Sequence, residues 1–132
     1  MHERQNIGMT PDSLRTLVVK CTAGTDDAER CTQAFTVAAT ALAAGADVSL
    51  WLTGEAAWLA VPGRAEAFEL PQSAPLADLR DAVLAGGRLT VCTQCAARRG
   101  IAAGDLVPGA VIAGSASFVA EVLADGAQAL VY

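Results

Sequence analysis

Short apolar runs alternate with helical patterns along most of this chain, and this alternation constrains the fold more than any other feature. The run Leu17-Val18-Val19, within Leu14–Cys21, is typical of a buried strand. Further strands are predicted at Val48–Leu52, Arg88–Cys92, Ala110–Ala113 and Gln128–Tyr132, with a brief one at Phe68–Leu70. Because strands that alternate with helices form parallel sheets, we expect a single three-layer α/β domain. Its sheet would be mostly parallel and five-stranded, with helices on both faces.

The helical segments carry start and stop signals. Asp26, followed three residues later by Glu29, predicts a capping-box start for a helix that runs to about Ala44, where Gly45 stops it. Shorter helices are predicted at Glu55–Ala60, from Pro75 to Gly86, at Thr93–Arg99 and from Ser115 to Ala124. Residues 1–13 show no periodicity, so they are predicted to be a flexible tail before a domain of residues 14–132.

Composition narrows the classes of partner. Of the 132 residues, 53% are hydrophobic and 17% are charged, which excludes an intrinsically disordered chain. The net charge is −5, Lys20 is the only lysine, and the largest basic cluster is the pair Arg98–Arg99. Nucleic acids and anionic membranes need several cations on one face, so neither partner is expected. Without an apolar run of roughly 18 residues or the apolar core of a secretory signal, the predicted location is the cytoplasm.

Cys92 is the strongest candidate for chemistry among the four cysteines. In a reducing cytoplasm, cysteines are thiols, catalytic groups or metal ligands rather than a disulfide framework. Cys92 ends a predicted strand and opens a helix, whose unpaired N–H groups favour the nucleophilic thiolate. The functional crevice of such sheets also lies at the carboxyl ends of the strands. We therefore predict Cys92 to be a nucleophile, the alternative being a small buried packing residue.

The other three cysteines are open to more than one interpretation. Cys95 completes a Cys-x-x-Cys spacing, which indicates either a redox pair with Cys92 or a packing residue in the first helical turn. Cys21 ends the first strand at the same sheet edge, where it either adjoins the site or packs. Cys31 lies on the apolar stripe of the long helix, where packing is favoured. Only one short-spaced cysteine pair is present, so no metal site is expected.

Motifs for other chemistries are missing from the sequence. The only histidine, His2, lies in the tail, so a Cys–His or Ser–His catalytic pair is not expected. The Gly-Thr-Asp-Asp run at 24–27 matches neither the phosphate-binding loop nor the dinucleotide-binding pattern. No cofactor is therefore predicted.

Two segments resemble the DsrE/DsrF family of small sulfur-relay proteins, which includes TusD-like and YchN-like members. Residues 17–30 are similar to the family's opening strand, Gly/Asp turn and helix. More specific is Cys92 with Arg98-Arg99-Gly100-Ile101 six residues further on. By the order of its elements, the resemblance extends from Leu14 to Tyr132. It implies a YchN-like, flavodoxin-like parallel α/β fold, a trimeric or hexameric homo-oligomer, and sulfur donor and acceptor proteins as partners.

The resemblance also implies a role for Cys92, because the corresponding cysteine of TusD-like members accepts sulfur. A sulfur carrier or sulfurtransferase subunit with a Cys92 persulfide is therefore the first hypothesis, with Cys21, Thr93 and Gln94 as predicted substrate-binding residues. Cys95 departs from the TusD pattern; it would attack the persulfide, release sulfide and leave a disulfide. A thiol–disulfide redox protein that uses Cys92 and Cys95 is thus one alternative. A non-catalytic oligomeric assembly protein is the other.

Overall fold

A computed structural model of the protein describes residues 15–132, and the predicted tail at 1–13 lies outside the described residues. Its five strands are β1 (Thr16–Cys21), β2 (Asp47–Leu52), β3 (Arg88–Cys92), β4 (Val111–Ala113) and β5 (Ala127–Val131). Its α-helices are α1 (Ala28–Ala43), α2 (Arg64–Ala67), α3 (Leu76–Gly86), α4 (Thr93–Arg98) and α5 (Ser115–Val122). The strands form one sheet in the order β4-β3-β2-β1-β5, and every neighbouring pair is parallel. The predicted α/β fold is confirmed.

The two faces of the sheet differ in chemistry, because successive side chains of a strand point to opposite sides. Beneath α1 and α3 the central strands contribute aliphatic residues and one cysteine to the core: Val19, Cys21, Val48, Leu50, Leu52, Leu89 and Val91. The opposite face carries Lys20, Ser49 and Trp51, which contact α5. The α1 side therefore holds the main apolar core, and the α5 side holds most of the polar groups of the central strands.

Two local predictions are wrong. The brief strand at Phe68–Leu70 does not form, because the Phe68 N–H donates to Ala65 O at the end of the unpredicted helix α2 and the Phe68 side chain packs on the core. Asp27, not Asp26, caps α1: its carboxylate accepts from Arg30 N at 3.3 Å, while Asp26 accepts from Gly24 N at 2.8 Å. A carboxylate one residue further along thus occupies the capping position.

Smaller differences concern the short helices. The segment predicted at Glu55–Ala60 is a 3₁₀ helix that spans Gly54–Ala60. Helix α5 begins at Ser115 as predicted, with Gly114 as its N-cap, and ends at Val122. Within residues 15–132 none of the helices has the length and apolar character that a membrane crossing requires.

Candidate functional site

The candidate site lies where β3 passes directly into α4. Cys92 is the last residue of β3 and the N-cap of α4, with an extended backbone at φ −63° and ψ 130°. Its side chain is half-buried, whereas the preceding Val91 is fully buried in the core. The structure thus places Cys92 at the carboxyl edge of the sheet, accessible to a reagent.

The pKa of the Cys92 thiol lies below its ordinary value. Burial by itself raises this pKa. The backbone N–H groups of Cys95 and Gln94 and the Cys95 side chain lower it, and the Lys20 ammonium adds to the lowering, so that the net change is downward. The Cys92 side chain makes no capping hydrogen bond of ordinary geometry, so these N–H groups act through weaker contacts. A lowered pKa increases the thiolate fraction at neutral pH.

A small cavity opens beside the Cys92 thiol. Its volume is about 40 Å³, which is room for a few water-sized atoms. The residues around it come from the carboxyl ends of β1, β2 and β3 and from α5: Lys20, Trp51, Thr53, Cys92, Ser115 and Phe118. A larger cavity of about 420 Å³ lies beside α1 and is bordered by Leu70 and Tyr132, but no cysteine lines it. We therefore place the chemistry in the smaller cavity.

Helix α5 covers this cavity and is fixed to the sheet by two kinds of contact. The Glu121 Oε1 atom accepts hydrogen bonds from Ser49 Oγ at 2.6 Å and from Trp51 Nε1 at 2.9 Å. The Phe118 ring meets the Trp51 ring edge-on, with centroids 5.4 Å apart. These contacts set the position of Phe118, one wall of the cavity.

Cys95 lies on the other side of Cys92, against the loop that follows β2. Its sulfur accepts a hydrogen bond from Gly54 N at 3.2 Å. Arg99 donates to Cys95 O at 3.1 Å and to the Glu55 carboxylate at 3.0 Å. Helix α4 is thereby tied to the 3₁₀ helix after β2, and the Cys95 side chain is close enough to Cys92 to lower the pKa of its thiol.

Cys21 is not brought to Cys92. It is fully buried on the α1 side of the sheet, and its Sγ–H donates to Ala23 O at 3.2 Å. Cys31 is also fully buried, and its hydrogen bond with Cys21 together with burial raises the pKa of its thiol. The packing interpretation therefore describes the surroundings of both thiols.

The remaining predicted residues lie in the first turn of α4. Thr93 and Gln94 are exposed, and Gln94 acts on Cys92 through its backbone N–H. The sequence analysis missed Lys20 and Phe118 as site residues. A lysine inside a strand that is otherwise apolar was the available signal, because lysines are seldom buried. Within residues 15–132 no group of three or more His, Cys, Asp or Glu side chains is arranged to hold a metal ion.

Comparisons with known proteins agree with this fold. A profile of the DsrE/DsrF-like family matches residues 16–132. No curated protein matches the sequence. The crystal structure of the YchN protein from E. coli superposes with a TM-score of 0.76 at 16% identity, covering 90% of this chain and 100% of that one. The MTH1491 protein from Methanobacterium thermoautotrophicum, of unknown function, gives 0.64 at 12% identity, covering 90% and 99%. At these identities the structural likeness shows the fold alone.

Proposed function

We propose that the chain, which belongs to the DsrE/DsrF-like family, is a cytoplasmic sulfur carrier or sulfurtransferase subunit that holds sulfur on Cys92 as a persulfide. The observation that carries this proposal is the half-buried Cys92 thiol. Its pKa is lowered, and it lines a cavity with room for only a few atoms. A thiolate is the attacking species in sulfur exchange. A cavity of this size suits a single added atom better than an organic substrate.

The transfer is an exchange at sulfur without net oxidation. The Cys92 thiolate attacks the outer sulfur of a donor persulfide, a bond forms between the two sulfurs, and the donor's S–S bond breaks. The electron pair of the broken bond leaves on the donor as a thiolate. An acceptor thiolate then attacks the same outer sulfur, and Cys92 leaves as a thiolate. The groups that lower the pKa of Cys92 also make it a better leaving group in this second step.

The position of Cys95 supports a second candidate function, in thiol–disulfide redox chemistry. Its side chain is close enough to Cys92 to lower the pKa of the Cys92 thiol. When Cys92 holds a persulfide, a Cys95 thiolate can attack the inner sulfur. The bond to the outer sulfur then breaks, hydrosulfide leaves with the electron pair, and a Cys92–Cys95 disulfide remains. A separate reductant of the dithiol class is needed to restore both thiols.

A comparison of two cysteine variants tests the proposal. Reduced wild-type protein, Cys92→Ser and Cys95→Ser are incubated with inorganic polysulfide and desalted, and the bound sulfur is released by cyanide and measured as thiocyanate. We expect wild type and Cys95→Ser to hold sulfur and Cys92→Ser to hold none. The proposal fails if Cys92→Ser holds as much sulfur as wild type. A disulfide in wild type, with retained sulfur only in Cys95→Ser, favours the second candidate.

A further inference from the structure

Lys20 is an unusual residue for its place in the fold. It is the only lysine of the chain, and it lies in β1 between Val19 and Cys21, which are both fully buried. Among residues 15–132 no carboxylate forms an ion pair with its ammonium. A partly buried cation without an anionic partner costs free energy. The ion pairs of the described residues therefore do not account for a lysine at this position.

The ammonium of Lys20 is nevertheless held in one place. Its Nζ atom lies 4.7 Å from the centroid of the Phe118 ring, a cation–π contact. The Trp51 ring, paired with Lys20 in the sheet register, packs edge-on against the same phenyl ring. The network that anchors α5 through Glu121 therefore also fixes the cation. Lys20 and Cys92 line the same cavity from different strands.

Lys20 is not the direct partner of the Cys92 sulfur. No hydrogen bond joins the two side chains. Of the groups that lower the pKa of the Cys92 thiol, the Lys20 ammonium contributes least. Its N–H donors are therefore available to a charge that lies further into the cavity. A persulfide moves the negative charge to such a point, because the outer sulfur lies about 2 Å beyond the first and is more acidic than a thiol.

We propose that the cavity between Lys20 and Cys92 is a binding site for one anionic sulfur atom, the outer sulfur of the Cys92 persulfide, with Lys20 as its counter-ion. This inference rests on the proposed function. The Ser115 side chain also lines the cavity and offers a further hydrogen-bond donor, whereas the Thr53 hydroxyl already donates to Cys21 O at 3.3 Å. The volume of about 40 Å³ accommodates the added atom but not the body of an organic donor. The donor's remaining atoms thus stay outside while its terminal sulfur enters.

The test compares Lys20→Met with Lys20→Arg, which keeps the charge, and with Arg15→Met, which removes an exposed cation just before β1. Each protein is loaded with inorganic polysulfide and desalted, and the alkylation of the Cys92 persulfide by iodoacetamide is followed by mass across a pH series. A nearby cation lowers the pKa of the persulfide. Removal of the cation therefore raises the midpoint pH of persulfide alkylation. We expect the Lys20→Met midpoint to rise by about one pH unit, with Lys20→Arg and Arg15→Met close to wild type.

The outcomes separate the two proposals. If wild type loads on Cys92 and Lys20→Met shows the same midpoint, the Lys20 inference is overturned and the proposed function stands. If wild type does not load on Cys92, the proposed function itself fails. Circular dichroism confirms that each variant is folded. Phe118→Leu gives a second readout, because it removes the ring that holds the Lys20 ammonium and leaves the charge itself. An unchanged midpoint of persulfide alkylation in that variant also counts against the inference.

Discussion

The four cysteines divide into two pairs by depth. Cys21 on β1 and Cys31 on α1 have no exposed surface and lie in the core between the sheet and that helix. Cys92 and Cys95 are half-buried at the carboxyl edge of the sheet. The same residue type thus has two environments in one small domain. In the core, the hydrogen bond between the two thiols lowers the pKa of Cys21 and raises the pKa of Cys31, whereas at the sheet edge the pKa of Cys92 is lowered.

This division predicts an order of alkylation. In native protein at neutral pH, iodoacetamide should modify Cys92 first and Cys95 more slowly, because only these two thiols reach the surface. Cys21 and Cys31 should react only after unfolding in urea. Peptide mapping by mass spectrometry at several time points gives the order. Slow, uniform modification of all four thiols in native protein would contradict the site and favour a purely structural role for the cysteines.

At the scale of elements, one carboxylate accepts both of the hydrogen bonds that join a side chain of α5 to side chains of the sheet. Glu121 accepts from Ser49 and from Trp51, and both donors lie on residues that are almost fully buried. No residue of α5 itself is fully buried. Hydrogen bonds and the ring contact of Phe118 with Trp51 therefore position this helix, and with it the Phe118 wall of the cavity, more than fully buried apolar side chains do.

Substitution of Glu121 tests this attachment. In Glu121→Leu the Ser49 hydroxyl and the Trp51 indole N–H lose their acceptor, which costs about 1–3 kcal/mol of unfolding free energy for each buried group left unpaired. Glu121→Gln keeps an acceptor oxygen and should lose less. Urea unfolding followed by tryptophan fluorescence measures both variants. Equal stability of Glu121→Leu and wild type would show that the two hydrogen bonds do not hold α5.

The elements also show which features can be predicted from sequence. The strands β1, β2 and β3 and the helices α1 and α3 follow local apolar periodicity and Gly or Pro stop signals, and their positions are confirmed within about two residues. The short helix α2 carries no such pattern. The contact between Lys20 and Phe118 joins residues that are far apart in sequence, so it depends on how α5 packs on the sheet. Cys92 could thus be identified from the junction of a predicted strand and helix, whereas the contact of Lys20 with Phe118 depends on tertiary packing and could not.

At the scale of the whole molecule, one side of the domain leaves apolar surface uncovered. Leu123, the residue that follows α5, is 76% exposed, Val131 on β5 is 65% exposed, and Val119 on α5 is exposed as well. Strand β5 is also an edge of the sheet, with neighbours only at β1. Exposed apolar edges favour association with another chain. This surface is where we place the contacts of the predicted homo-oligomer.

The oligomer prediction is tested by measuring mass in solution. We expect light scattering after size exclusion to give a trimer or a hexamer for wild type. Leu123→Glu places a charge in the proposed contact and should shift the protein to smaller species. Val111→Glu is the matched control, because Val111 is 53% exposed on β4 at the other edge of the sheet. A monomeric wild type, or equal masses for wild type and Leu123→Glu, would contradict this surface as the interface.

The central claim, that Cys92 carries sulfur, is tested most directly by intact mass with site mapping of the wild-type protein. Reduced protein is incubated with inorganic polysulfide, desalted, measured intact and then digested. We predict a gain of one sulfur atom, located on Cys92 and removed by reductant. A loss of two hydrogens with Cys92 joined to Cys95, or an unchanged mass with free Cys92, would contradict the claim.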